Sequence, residues 1–147
     1  MIDVRRLIGP SLLPTLLLLA GCGSSGPTVV PVHGKVTWKG QPLDSGTVVF
    51  HQVNLPAGEL RRPAMALLKP DGTFRLSSLE EGDGVLPGRY AVSVQSLTGG
   101  NAMEFLDANS APTSRIPHRY GSPETSGLTA KIAADAGAVE LQFDLVP

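Results

Sequence analysis

From Val32 onward the apolar residues of this chain fall at every second position, in short runs separated by glycine and proline. That spacing restricts each run to a strand with one buried face, and the 17 glycines and 13 prolines among 147 residues suit turns and bends between strands. Val32, Gly34, Val36 and Trp38 alternate with His33, Lys35 and Thr37, and Gly40-Gln41-Pro42-Leu43 marks the bend that follows. In the next run Val48 and Phe50 form the inward pair. Residues 63–69 and 73–78 flank Pro70-Asp71-Gly72, where Pro presets φ, Asp bonds its own backbone and Gly accepts positive φ. These arms are expected to form a hairpin with Phe74 and Leu76 facing in. Residues 89–95 give the clearest strand, with Tyr90, Val92 and Val94 on one face and Ala91, Ser93 and Gln95 on the other. Residues 128–132 and 139–146 surround an Ala-Asp-Ala-Gly turn at 134–137 and read as a second hairpin, with Leu141, Phe143 and Leu145 inward. Seven short strands and almost no helical periodicity predict an all-β, antiparallel, seven-stranded β-sandwich.

The N-terminus has a different character. Arg5 and Arg6 precede an uncharged apolar run over residues 7–20, too short for the roughly 20 residues of a spanning helix and interrupted by Pro10 and Pro14. Leu19-Ala20-Gly21-Cys22 resembles the lipobox of bacterial lipoproteins, in which the cysteine thiol is alkylated by diacylglycerol and the signal is cut just before it. Cys22 is the chain's one cysteine, so no intramolecular disulfide can form and the domain must be held by its core. The expected organisation is a signal peptide over 1–21, a flexible tether over 22–31 and a single domain over 32–147. Lipid on Cys22 would anchor the protein to a membrane, and Gly23, in place of the aspartate that retains enterobacterial lipoproteins in the inner membrane, leans toward the outer membrane.

With Asp3, Arg5 and Arg6 removed, 10 basic and 12 acidic residues remain, a formal charge near −2. No basic stripe runs along the sequence, so neither a nucleic acid nor an anionic membrane surface is expected as partner on charge grounds. The three histidines, His33, His51 and His118, lack the paired spacing of a zinc site, and no metal or cofactor is expected. His33 and His51 would stand side by side in solvent if the first two long strands pair. Glu80-Glu81-Gly82-Asp83-Gly84 lacks the order of a calcium loop and reads as a solvated acidic turn. Trp38, ending an inward alternation, reads as a cap on the core. No nucleophile elbow or phosphate loop is present, which argues against catalysis.

Val32-His33-Gly34-Lys35-Val36, Gly46-Thr47-Val48-Val49-Phe50, Asp71-Gly72-Thr73-Phe74 and Pro87-Gly88-Arg89-Tyr90-Ala91-Val92-Ser93-Val94 are similar to successive strands of carboxypeptidase-regulatory-like domains. The resemblance extends to small bacterial lipoproteins built from one such domain, through Ile116-Pro117-His118-Arg119-Tyr120, Thr125-Ser126-Gly127-Leu128-Thr129 and Phe143-Asp144-Leu145. It implies a transthyretin-like (prealbumin-like) fold and a binding, scaffolding or stabilising role without chemistry of its own. The alternative is an enzyme: a hydrolase of the 5-hydroxyisourate type, or an accessory domain of an envelope enzyme. Against the hydrolase, the sequence closes on Leu141-Gln142-Phe143-Asp144-Leu145-Val146-Pro147 and lacks the C-terminal Tyr-Arg-Gly-Ser on which that enzyme depends. His118-Arg119-Tyr120 supplies similar residue types in another order.

One long connection, residues 97–123, interrupts the regular pattern, with room for a helical turn only at 102–108. Its Phe105, Arg115, His118, Arg119 and Tyr120 are the candidate contacts for a ligand or partner, an envelope protein or a glycan. In the structural reading Ile116 and Tyr120 pin the loop to the domain and leave His118 and Arg119 in water. Open edge strands add self-association as a further expectation.

Overall fold

The computed structural model describes residues 27–55, 58, 61–98 and 112–147. Cys22, the leader, Phe105 and the helical turn expected at 102–108 lie outside the described residues. Within them the chain is all-β, with eight strands in two sheets: β1 (Val32–Trp38), β2 (Gln41–Pro42), β3 (Thr47–Val53), β4 (Ala64–Leu67), β5 (Thr73–Arg75), β6 (Gly88–Gln95), β7 (Leu128–Ile132) and β8 (Val139–Leu145). No described helix is long and apolar enough to cross a membrane.

In sheet one, β1 is central. β8 runs parallel to it along its whole length, from Val32 opposite Val139 to Trp38 opposite Leu145, while β5 and the short β2 pair antiparallel on its other edge. Sheet two is antiparallel throughout, in the order β4-β3-β6-β7. The alternation works as expected: Val48, Phe50, Phe74, Leu76, Tyr90, Val92 and Val94 are all buried. Phe50 of sheet two sits 6.4 Å from Phe74 and 6.1 Å from Phe143 of sheet one, and 5.7 Å from Tyr90, so one aromatic cluster joins the sheets. Tyr90 reaches out of that cluster to donate its hydroxyl to the Leu86 carbonyl at 2.6 Å, and burial pushes its pKa up to about 12.

Three expectations about pairing are corrected. The sheets are not wholly antiparallel, because β8 lies parallel to β1. Nor do β7 and β8 form a hairpin: β7 pairs with β6, while the six residues 133–138 carry the chain across to sheet one. Six residues extend about 20 Å, ample for the roughly 10 Å between stacked sheets, and crossing lets Ala130 and Ile132 cover the core from one side while Phe143 and Leu145 cover it from the other. Third, β1 and β3 belong to different sheets, so His33 and His51 do not stand side by side; His33 lies opposite Arg75 and Glu140 instead.

The Pro70-Asp71-Gly72 turn forms, with the Gly72 amide bonding the Lys69 carbonyl at 2.8 Å, Asp71 capping the Thr73 amide at 3.0 Å and Gly72 at φ +78°. Its arms keep two points of contact, Lys69 to Thr73 and Met65 to Ser77, and otherwise diverge: β4 joins sheet two and β5 sheet one. Gly34 marks a close approach within sheet one. A Cβ there would lie 2.2 Å from the Leu141 carbonyl oxygen and 2.7 Å from the Phe74 ring, so no other residue fits between β5 and β8.

The fold starts at Val30, 2% exposed, which exchanges backbone bonds with Val85; Pro31 accepts from the Val139 amide. Trp38 packs partly buried against the core, with the Lys39 ammonium 5.1 Å from its ring centroid. Lys39 and Gly40 both take positive φ, as a tight two-residue hairpin between β1 and β2 requires.

Candidate functional site

The long connection leaves β6 at Gln95 and returns to it. Leu97 bridges Ser114, the Thr98 amide bonds the Thr113 carbonyl at 2.8 Å, and the Arg115 amide bonds the Ser96 carbonyl at 2.8 Å. The returning segment, residues 112–127, then lies along the domain as a strap, fixed at four places.

At the first, Arg115 reaches the Asp44 carboxylate at 2.5 Å and the Ser45 hydroxyl at 2.6 Å, clamping the strap to the turn before β3. Both side chains are substantially exposed, so the pair orients more than it stabilises. Arg115's hydrogen bond holds the Asp44 carboxyl below its ordinary 3.8. At the second, Ile116 is buried against the core.

The third is a 3-10 helix, His118–Gly121, which Pro117 introduces with φ −53° and whose first bond runs from the Tyr120 amide to the Pro117 carbonyl. It turns Tyr120 inward, 3% exposed, and leaves His118 and Arg119 outside. The Tyr120 hydroxyl donates to the Val146 carbonyl at 3.1 Å and accepts from the Val146 amide at 3.0 Å and from Arg119 at 3.0 Å. Arg119 lies over the Tyr120 ring, 4.7 Å from its centroid, and also donates to the carbonyls of Val146 and Pro147 at 2.7 and 3.0 Å. Thr125 bonds the Arg119 carbonyl at 2.7 Å, and at the fourth place the buried Ser126 hydroxyl donates to the Val92 carbonyl at 2.5 Å.

Arg119 and Tyr120 therefore act together on the segment after β8, while Arg115 acts at the far end of the strap on Asp44. Their polar groups are engaged within the chain. Among the described candidates His118 is exposed and lines a cavity of about 220 Å³ with Leu97, Pro112, Ser114 and Gly121. That is below the roughly 300–1,000 Å³ of most small-ligand sites.

One polar pair escaped the sequence reading. His51 Nε2 and Ser93 Oγ share a hydrogen bond of 2.9 Å across β3 and β6 on the outer face of sheet two, with Glu124 of the strap near enough to feel the imidazole. Glu124 is held below its ordinary value of 4.5 first by the Ser122 hydroxyl and least by His51. Ser93 is 4% exposed, so the arrangement braces the sheet and does not offer a nucleophile to substrate. The only signal for it was the outward phase of both residues, and that is shared by every polar strand position.

No three His, Cys, Asp or Glu side chains come together among the described residues in a way that would hold a metal ion. At Asp83 the carboxylate oxygens accept the amides of Ser78, Leu79 and Glu80 at 2.8 to 3.0 Å; burial alone would raise this carboxyl, but those donors outweigh it and hold it below 3.8. An oxygen pair so ringed by N–H donors has its lone pairs committed to the turn.

No family model and no curated protein matches the sequence. Among solved structures the chain is similar to a 9R-lipoxygenase from Cyanothece PCC8801, with 12% identity and a TM-score of 0.39 over 84% of this chain and 17% of the lipoxygenase, a likeness too slight to carry an argument about function.

Proposed function

We propose that this protein is a lipoprotein of the bacterial cell envelope, anchored through lipid on Cys22, whose transthyretin-like sandwich of the carboxypeptidase-regulatory-like kind serves as a non-enzymatic binding or structural module. The observation that carries the reading is Leu19-Ala20-Gly21-Cys22: a lone cysteine after a short apolar run, followed by small residues up to Val30, where the fold begins. Apart from the two-residue β2, seven strands lie in two sheets around one core, an arrangement that suits the sandwich. A binding or structural role is favoured over the hydrolase because Arg115, Arg119 and Tyr120 hold the strap to the domain and leave little chemistry free. The outer membrane is the proposed location, facing the periplasm or the surface. Partners are an envelope protein or glycan, or a second copy, meeting the open edges of β7 and β8.

The test is intact-mass analysis of membrane fractions from cells expressing wild type and Cys22→Ala. Acyl mass on a chain starting at Cys22, lost together with membrane association in the variant, is the expected result. A wild-type chain recovered without acyl mass overturns the reading.

A further inference from the structure

Gln52 breaks the pattern of the core. It continues the inward phase of Val48 and Phe50 on β3 and is 8% exposed, yet its Oε1 has no hydrogen-bond partner. A buried acceptor left in this way costs free energy, and nearly all buried polar groups avoid it. Filling the core does not account for the residue, because leucine would occupy similar space without a polar atom.

The amide stands where sheet two comes apart. Val53–Arg89 is the last pair between β3 and β6; beyond it come Asn54, at φ +57°, and Gly88, at φ +153°. A Cβ at Gly88 would lie 3.4 Å from Gln52 Nε2, so the glycine leaves that side of the amide uncovered. The fork between the strands holds a cavity of about 520 Å³, lined among the described residues by Gln52, Asn54 and Arg89 and by the apolar Val53, Leu55 and Pro87. That volume lies within the roughly 300–1,000 Å³ of most small-ligand sites. The terminal torsion of glutamine is broad and twofold, so the amide can turn its oxygen toward this space.

The charge beside the fork has one sign. Arg89 lies directly opposite Lys131 of β7, and both are exposed. Among the described residues the one ion pair is Arg115–Asp44, so neither cation has an acidic partner, Asp135 on the crossing after β7 included. Like charges on opposed strand positions repel, and an anion between them reverses the sign of the interaction. Gln52 and Arg89 sit one pair apart on opposite faces of the sheet, so a ligand that meets both must enter at its open end. A bare inorganic anion would satisfy the cations and leave Gln52 without a donor. A sugar would find no aromatic ring among the described lining residues on which to stack. The last residue of a peptide supplies all three requirements: a carboxylate, an N–H a few bonds away and a side chain for the apolar wall.

We propose that this end of sheet two binds the C-terminal residue of a peptide or protein, its carboxylate meeting Arg89 and Lys131, its N–H donating to Gln52 Oε1 and its side chain lying against Val53, Leu55 and Pro87. The inference names a ligand for the binding role proposed above and rests on that role, not on the lipid of Cys22.

The experiment titrates full-length protein in detergent micelles with N-acetyl-alanyl-alanine and, separately, with its C-terminal amide, following backbone amide shifts by NMR. The acid is expected to shift Gln52, Asn54, Gly88 and Arg89, and the amide to bind about ten-fold more weakly, since a hydrogen bond to a charged group is lost. Arg89→Gln and Lys131→Gln should each weaken the acid and leave the amide unchanged. Gln52→Leu should weaken both probes while its thermal midpoint holds or rises, because the unpartnered acceptor is gone. A midpoint that falls instead means that Gln52 is already satisfied in the fold, and overturns its role. Equal affinity for acid and amide, or no shifts with either, overturns the site. Shifts that gather on His118 and the strap overturn it too, while leaving a binding role for the domain.

Discussion

Replacing Tyr120 by Phe tests whether the strap is held by the contacts described or merely lies against the domain. The substitution keeps the buried ring and deletes one hydroxyl, which donates to Val146, accepts from its amide and accepts from Arg119. A net hydrogen bond contributes about 1 kcal/mol, and stranding a buried donor costs about 1–3 kcal/mol. Water can reach part of the vacated site, since Val146 is 57% exposed, and Arg119 retains the carbonyls of Val146 and Pro147. About 2 kcal/mol is therefore expected. Unfolding entropy of about 2.1 cal/mol/K per residue over residues 32–147 converts this to a fall in Tm of about 8 °C. Calorimetry with a denaturant midpoint measures it, and a double-mutant cycle with Arg119→Gln should return a coupling of about 1 kcal/mol, because both side chains converge on Val146. A Tyr120→Phe protein within about 0.5 kcal/mol of wild type, or a cycle with no coupling, would refute the hub and make the ring alone responsible for attachment.

Gly34→Ala should destabilise by about 3 kcal/mol or more, since its new methyl meets the Leu141 backbone and the Phe74 ring at once, whereas Gly137→Ala, with open space and no positive φ, should stay within about 0.5 kcal/mol; urea midpoints compare the two. Acid should weaken the domain. Asp44, Asp71, Asp83 and Asp144 all have carboxyls held below 3.8 in the fold, by Arg115, by Thr73, by backbone amides that outweigh burial, and by Thr37 respectively. The unfolded chain then takes up protons first, so the stability these groups supply is complete above their unfolded values and drains away as the pH falls through the folded ones. A Tm series from about pH 6 to about pH 3 should show the decline beginning near pH 4, with a shallower fall in Asp71→Asn. A flat series would mean the hydrogen bonds to these carboxylates do not form in solution.

The inward faces were legible because a strand's periodicity is a local property: Phe50 lies two residues from Val48 whatever its strand pairs with. Partnership is not local, and it is where the sequence reading failed. An Ala-Asp-Ala-Gly turn between two alternating runs has the same appearance whether the chain folds back in one sheet or crosses to the other. What decides between them is which side of the Phe50 cluster lacks cover, and that depends on the placement of β1 and β6. β8 fills the free edge of β1, and its direction follows from where the crossing delivers it. Parallel pairing between elements about a hundred residues apart leaves no adjacent turn signal to read. The divergence of β4 and β5 was hidden similarly, since the turn chemistry at Pro70-Asp71-Gly72 is satisfied in either geometry.

The strap divides along the same line. Ile116 and Tyr120 were readable as anchors because apolar bulk in a polar stretch must go somewhere dry. Arg115 and Arg119 were not, since an exposed arginine has identical local sequence whether it awaits a partner or already has one. Here the partners are supplied from 71 residues away at Asp44 and 27 residues away at Val146. The same guanidinium geometry that makes arginine a frequent interface anchor lets it gather a chain's own carbonyls. The converse holds at Lys69, an ordinary turn-flanking cation in sequence, which the opening of the hairpin leaves beside exposed Leu67. Availability to a partner is thus set by pairing topology: Leu67 stays uncovered while the Arg75 Nε is taken up by the Gly82 carbonyl at 3.0 Å.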